Sequence, residues 1–318
     1  MTSAGADQPR VSRGILLMCA AALSMVGLDV CAKYLLDTYG LAQLVLLRCG
    51  FSVAFIAAFA LRQGGGRALV TRRPAWHLLR TFLMAASMFA FFYALPRIPL
   101  ATVLTIAFAA PIVVTALSRP FLGEPVGPWR WVAVLFGFAG VLVVLQPGQG
   151  VIAPAAWIAL IGAVTYALLS LTARKLRDTE SALALSLYMF PAPLLIGAVG
   201  AWANWLPPTP ADWLLFIAAG VFGGLAFILM NVAFRYADAA VLVPFDYTGL
   251  IWAGLAGYLI WGEIPGRNTW LGAAIIIASG LFILYRETRR PSLASQPAAG
   301  LPEPSAERPT PAPASDPG

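Results

Sequence analysis

The sequence predicts an all-α polytopic membrane protein, with ten transmembrane helices arranged as two inverted five-helix repeats. Three observations carry this. Apolar residues make up 60% of the 318-residue chain and charged residues 11%, against about 25% charged in an ordinary globular domain, so no water-facing surface can be assembled from them. Ten stretches are long and apolar enough to cross hydrocarbon as helices, the form that satisfies every backbone polar group within the segment. The second half of the chain also repeats the first at a nearly fixed offset. A soluble enzyme, a nucleic-acid reader and a disordered protein are excluded. The net charge of +7 has to be read by position rather than as a DNA-binding signal.

The spans follow in order. Span one, 14–34, is longer than the core of a secretory signal and carries Asp29 and Lys33, so it reads as a retained helix. Span two, 41–61, carries Arg48 and ends at Arg62-Gln-Gly-Gly-Gly-Arg67. Spans three (75–95), four (100–119) and five (129–146) follow with short connections, which makes neighbours antiparallel. Gln146-Pro-Gly-Gln-Gly150 separates this first repeat, 14–146, from the second, 153–286. The second holds spans six (153–173), seven (182–203), eight (212–234), nine (239–261) and ten (268–286), punctuated by Pro207-Pro208-Thr-Pro210 and Glu263-Ile-Pro-Gly266. Residues 1–13 form a cytoplasmic N-terminal segment. The Pro-, Ala-, Ser- and Glu-rich stretch 291–318 is a disordered cytoplasmic tail.

Arginine placement sets the orientation. With the N-terminus inside, sixteen Lys and Arg residues fall on the cytoplasmic side, among them Arg72, Arg73, Arg174 and Lys175; only Lys33, Arg97 and Arg267 fall on the other. The bias predicts an inner-membrane protein with both termini cytoplasmic.

The repeat is read from paired residues. At an offset of 139, Ala94 matches Ala233, Ile112 matches Ile251, Glu124 matches Glu263 and Trp131 matches Trp270; the shared Gly-Glu-x-x-Gly closes spans four and nine. At an offset of 141, Ala32-Lys33 matches Ala173-Arg174. An odd number of spans per half forces the halves into opposite orientations, the plan of secondary transporters with a site at the midplane.

With Asp29-Val-Cys-Ala-Lys-Tyr34, Leu47-Arg48, Leu122-Gly-Glu124 and Trp261-Gly-Glu263, the pattern resembles the drug/metabolite transporter superfamily, EamA branch, over about residues 13–287. The resemblance implies a basket in which spans one to four and six to nine line a central cavity, while five and ten are peripheral. It implies cargo such as amino acids, riboflavin or S-adenosylmethionine. Pro244-Phe-Asp-Tyr-Thr248 and Ile275-Ile-Ile277 look most like uptake-type members.

Ionisable groups inside hydrocarbon are costly, so each is a candidate. Asp29 lies about 9 Å and Arg48 about 10 Å from the outer ends of adjacent helices, at a rise of about 1.5 Å per residue. Equal depth predicts an ion pair, serving either to lock two helices or to contact substrate, with Lys33 one turn away as a competitor. Arg80 and Asp246 enter from the cytoplasmic side by about 8 and 10 Å and could meet across the cavity; Arg80 could instead snorkel to the headgroups. Asp246 follows Pro244 and precedes Tyr247, Thr248 and Gly249, where a proline opens the helix; Pro111, Pro191 and Pro193 could act likewise. Tyr93, Tyr166, Tyr188, Tyr247, Trp252 and Tyr258 lie within spans and could stack on cargo, and Asn231 offers a polar contact; the alternative for the aromatics is packing or lipid contact. Glu124 and Glu263 read as capping or pairing groups. Gly220-x-x-x-Gly224 and Ala253-x-x-x-Gly257 read as close helix contacts.

The predicted substrate-binding set is therefore Asp29, Arg48, Arg80, Tyr93, Tyr188, Asn231, Asp246, Tyr247 and Trp252. Cys19, Cys31 and Cys49 show no CxxC spacing and His77 is the only histidine, so no metal or cofactor is expected. No phosphate-binding loop is visible that would indicate ATP use. The expected function is a secondary transporter of a small organic metabolite, an amino acid or related amphipathic compound, working by alternating access and acting as a monomer, with a coupling proton carried on Asp246 or Asp29. Uptake of S-adenosylmethionine or riboflavin is the alternative. A membrane-embedded enzyme would need a catalytic cluster for which this sequence supplies few residues.

Overall fold

The computed structural model describes residues 8–62, 71, 73–123, 127–146, 153–176, 179–237 and 239–288. Thirteen helices fill this range. They are α1 (Gln8–Leu36), α2 (Leu41–Arg62), α3 (Pro74–Ala94), α4 (Leu100–Ala107), α5 (Ala110–Leu122), α6 (Pro128–Leu145) and α7 (Ala153–Leu176), then α8 (Ala182–Leu187), α9 (Pro191–Trp202), α10 (Pro210–Ala233), α11 (Ala239–Asp246), α12 (Thr248–Trp261) and α13 (Arg267–Thr288). Nine candidate spans are long and apolar enough to cross a membrane. The remaining stretch, span nine, is the pair α11 and α12. The chain is an all-α, multi-pass membrane protein.

Spans four, seven and nine are interrupted rather than continuous. Proline accounts for two of the breaks. It lacks an amide hydrogen, and its ring clashes with the carbonyl four residues back. Pro111 and Pro191 open α5 and α9, and the helices before them stop four residues earlier, at Ala107 and Leu187. Span nine breaks at Tyr247, three residues after Pro244, which lies inside α11. The breaks in spans four and nine fall at repeat-equivalent positions, since Phe108 plus the offset of 139 is Tyr247. Their rings meet edge to face with centroids 5.0 Å apart.

Packing follows the inverted repeat. Span one lies along span eight (α1 on α10), and the matching pair, span six on span three, is α7 on α3. Spans two and seven, four and nine, and five and ten pack on one another across the pseudo-twofold axis through α2–α9, α4–α12 and α6–α13. Each half thus buries its apolar faces mainly against the other. Small residues permit the close approaches. A Cβ on Gly220 would stand 2.3 Å from Phe51 Cβ, and one on Gly224 2.6 Å from Phe55 Cδ1. Between α6 and α13, a Cβ on Gly272 would stand 2.2 Å from Val144 Cγ2 and 2.7 Å from the Gly140 carbonyl.

The Gly-Glu motif is a helix stop. Gly123 and Gly262 hold φ of 71° and 67°, a left-handed cap that only glycine adopts without penalty. After Gly262 the Glu263 amide donates to Gly257 O at 3.0 Å, and the side chain turns back into the bundle, the capping and pairing role read for it. Glu124 lies outside the described residues.

Two ends can be told apart. One carries the start of α1 and the end of α13; the far end carries the loops around 37–40, 95–99, 203–209 and 262–266. At the far end Tyr39 donates to Asp212 Oδ2 at 2.7 Å, which pushes the phenol above its ordinary value. There Gln43 also clasps Leu206, its Nε2 donating to the carbonyl at 2.7 Å and its Oε1 accepting the amide at 3.1 Å.

Candidate functional site

A cavity of about 330 Å³ lies at mid-depth between the halves. α1, α2, α3, α4 and α5 contribute from the first half and α7, α10, α11 and α12 from the second; α6 and α13 do not. Its wall is largely apolar, built from Met84, Met88, Phe91, Phe92, Phe108 and Phe227, with Met25 and Met230 toward its other sides. Thioethers and aromatic faces make a soft, polarisable lining that can adjust to the shape of a ligand. Tyr166 and Ser87 are polar members, and Ser87 already donates to Gly162 O at 3.0 Å.

Three ionisable side chains face this cavity: Asp29, Arg48 and Asp246. Asp29 is 3% exposed and Arg48 8% exposed. The ion pair expected between them does not form: the two are not in direct contact, although they share the cavity wall. Neither carboxylate meets a donor or a cation within bonding distance among the described residues. The Arg48 guanidinium lies over the Phe92 ring, 5.1 Å from its centroid, and its Nε is buried without an acceptor. On its other side Gly223 leaves room, since a Cβ there would stand 3.3 Å from the Arg48 Nη2.

The other buried charged side chains among the described residues each have at least one polar partner, although Arg80 Nε and His77 Nδ1, like Arg48 Nε, are buried without one. Lys33 pairs with Glu263, also donates to Ile98 O at 3.3 Å, and lies over the Trp261 ring at 5.2 Å. Arg80 donates to Leu169 O at 3.1 Å, to Thr172 Oγ1 at 3.0 Å and to Leu185 O at 3.0 Å. His77 Nε2 stands 3.3 Å from Glu180 Oε2. The three charges facing the cavity have no ion-pair or hydrogen-bond partner among the described residues, whereas Lys33, Arg80 and His77 have at least one each.

The remaining predicted residues stand elsewhere. Arg80 neither reaches the headgroups nor meets Asp246: it is 3% exposed, away from the cavity lining, and braces the ends of α7 and α8. Its neighbour Thr81 takes up the groups freed by the break in span seven, accepting from the Ala192 amide at 2.7 Å and donating to Met189 O at 3.3 Å. Tyr188 stacks near His77, centroids 4.6 Å apart. Tyr93 lies beneath the Arg97 guanidinium at 3.7 Å. Tyr247 turns its hydroxyl toward α13, where a Cβ on Gly280 would stand 2.2 Å from it. Trp252 is 37% exposed on the outside of α12. The Asn231 side chain lies outside the described set.

The sequence reading passed over the methionines and Phe108. Nothing in an apolar span marks a methionine as facing a cavity, but Phe108 carried a signal, being the repeat mate of Tyr247 beside a proline.

A family model described as the EamA-like transporter family matches residues 12–146 and 153–285. A riboflavin transporter of Rhizobium johnstonii is 32% identical, over 91% of this chain and 96% of its own length. An S-adenosylmethionine uptake transporter of Rickettsia bellii is 30% identical, over 82% of this chain and 89% of its own. A crystal structure at 19% identity aligns with a TM-score of 0.61, covering 88% of this chain and 99% of that one, which supports the fold.

Proposed function

This chain belongs to the EamA-like transporter family, and from that premise we propose that it is a secondary carrier of an amphipathic metabolite with an amino-acid-type head, working by alternating access between its halves. One observation carries the reading. Asp29, Arg48 and Asp246 have no ion-pair or hydrogen-bond partner among the described residues, and all three face one apolar cavity lined by both repeats. An unpaired charge in such surroundings costs several kcal/mol unless something binds it. A cargo with groups of both charges supplies what is missing, its carboxylate to Arg48 and its cation to Asp29 or Asp246, while its apolar body lies on the methionine and phenylalanine wall. The volume falls at the lower end of the roughly 300–1,000 Å³ of small-molecule sites.

Relatives named for S-adenosylmethionine and for riboflavin make uptake of either the alternative. The open charges favour S-adenosylmethionine, which bears an amino-acid head, over the uncharged riboflavin. When the cavity is empty, Asp29 and Asp246 are also the groups in position to take up a coupling proton. The arginine bias supports an inner-membrane carrier with both termini cytoplasmic, and a cavity lined within one chain supports a monomer as the working unit.

The test is counterflow into proteoliposomes with labelled S-adenosylmethionine, riboflavin and a large apolar amino acid. Saturable uptake of a charged cargo is expected, lost in Arg48→Ala and in Asp246→Asn. Flux unaffected by both substitutions, or riboflavin carried in preference, would remove the assignment.

A further inference from the structure

From the far-end contacts we infer that the Lys33–Glu263 ion pair is a latch: it holds the cavity shut at the far end in this conformation and must break for the carrier to open there. The inference rests on the alternating-access reading above, and it concerns which contacts close one face.

The pair joins three elements. Lys33 sits near the end of α1, and Glu263 follows the Gly262 cap of α12. Glu263 Oε2 accepts from the Leu100 amide at 3.0 Å, the first residue of α4, while Lys33 also donates to Ile98 O at 3.3 Å just before it. One ion pair therefore ties span one to the far halves of spans four and nine, two of the three interrupted spans. Around it α4 is almost wholly buried from Leu100 to Ile106 and packs on α12, α12 packs on α1, and α4 packs on α7. The far end is a closed ring.

Below the breaks the packing differs. The near halves of the same spans, α5 and α11, diverge: α5 lies on α7 and α6, α11 lies on α1, and the two make no extensive contact among the described residues. Several side-chain links at that end stay within one side or the other. Arg80 and His77 hold α3 to α7, to α8 and to Glu180 in the loop before α8, while Arg13 lies over Tyr236, 5.3 Å from its centroid. The interruptions at Phe108 and Tyr247, stacked on each other at the level of the cavity, divide the closed part from the divergent part. That is where a hinge has to lie if α4 and α12 are to separate while α5 and α11 come together.

The latch suits its place because both partners are anchored by a second contact, so the pair forms in one geometry. Removing Glu263 leaves the buried Lys33 with the Ile98 carbonyl but no counter-charge, and removing Lys33 leaves the partly exposed Glu263 held by the Leu100 amide alone.

Hydrogen–deuterium exchange on the full chain in lipid nanodiscs tests this without any cargo. In Lys33→Ala and in Glu263→Gln, amides of 100–107 and 250–261 should exchange at least about tenfold faster, less than for a pair buried on both sides because Glu263 is partly exposed. Amides of α5 and α11 should slow as that end closes. The double exchange Lys33→Glu with Glu263→Lys should return both regions toward the parent rates. Far-end exchange that is unchanged in variants with the parent melting temperature overturns the latch. So does far-end exchange that rises while α5 and α11 stay as they were, which marks a local staple. Failure of the transport reading shows instead as absent counterflow in the parent protein, whatever the exchange rates.

Discussion

Two buried arginines of the same bundle differ in what they lack. Arg48 lacks acceptors and Arg80 has three, so replacing each should damage a different property. Arg48→Lys keeps a cation but gives up the planar fork that binds a carboxylate through two hydrogen bonds. Its KM should rise by roughly ten- to a hundredfold, the worth of a charged hydrogen bond, with the melting temperature near the parent's. Arg80→Met removes the donor to the Leu185 carbonyl, at about 1–3 kcal/mol for a group left unsatisfied, while Leu169 O keeps the Thr172 hydroxyl. The protein should melt earlier, while the KM of the folded fraction stays put. Uptake kinetics and thermal melts on the same preparations separate the two roles; a KM shift in Arg80→Met would return Arg80 to the cargo site.

At the scale of elements, what the sequence shows depends on which physical rule wrote it. Span existence follows from length and hydropathy, and the Gly-Glu stop follows from backbone geometry at Gly123 and Gly262, so both were readable. The prolines announced that spans four, seven and nine open, but the exact break in span nine is set by packing against Phe108, which no local rule contains. Depth along a helix was also readable, whereas rotation about its axis was not. Of the residues singled out by depth, Asp29, Arg48 and Asp246 line the cavity, while Tyr93, Tyr188, Tyr247 and Trp252 make contacts elsewhere. Rotation is fixed by close approaches such as that of α6 and α13. Gly272→Leu sets a side chain where even a Cβ meets Val144 and the Gly140 carbonyl. Overpacking of this kind costs about 1–3 kcal/mol or more, and because α6 and α13 stay off the cavity wall, stability should fall with KM unchanged. Melts of the purified variant decide it; a melting temperature equal to the parent's would mean that the helices can slide apart freely.

For the whole molecule, the partner of each span lies mostly in the other half. α1 finds its main surface on α10 and α7 finds its own on α3, while α2–α9, α4–α12 and α6–α13 are all contacts between halves. A half chain then exposes the surfaces that should bury it, and its natural mate is an inverted copy. A homodimer of the first half should not supply that mate, because the arginine bias favours one orientation: Arg62, Arg67, Arg72 and Arg73 lie in one connection, against Arg97 alone in the next. The second half, expected to insert the other way round, carries Arg174 and Lys175 in the corresponding connection. Cutting the chain between residues 147 and 152, outside both repeats, should therefore give two fragments that are each degraded or aggregated when expressed alone. Expressed together they should copurify and restore cargo counterflow, because every main interface is present again and no cavity residue is lost. Size-exclusion chromatography in detergent and uptake by the reconstituted pair read this out. A first-half fragment that is stable and active alone would mean that the arginine bias does not fix its orientation, and with it would fall the assignment of both termini to the cytoplasm.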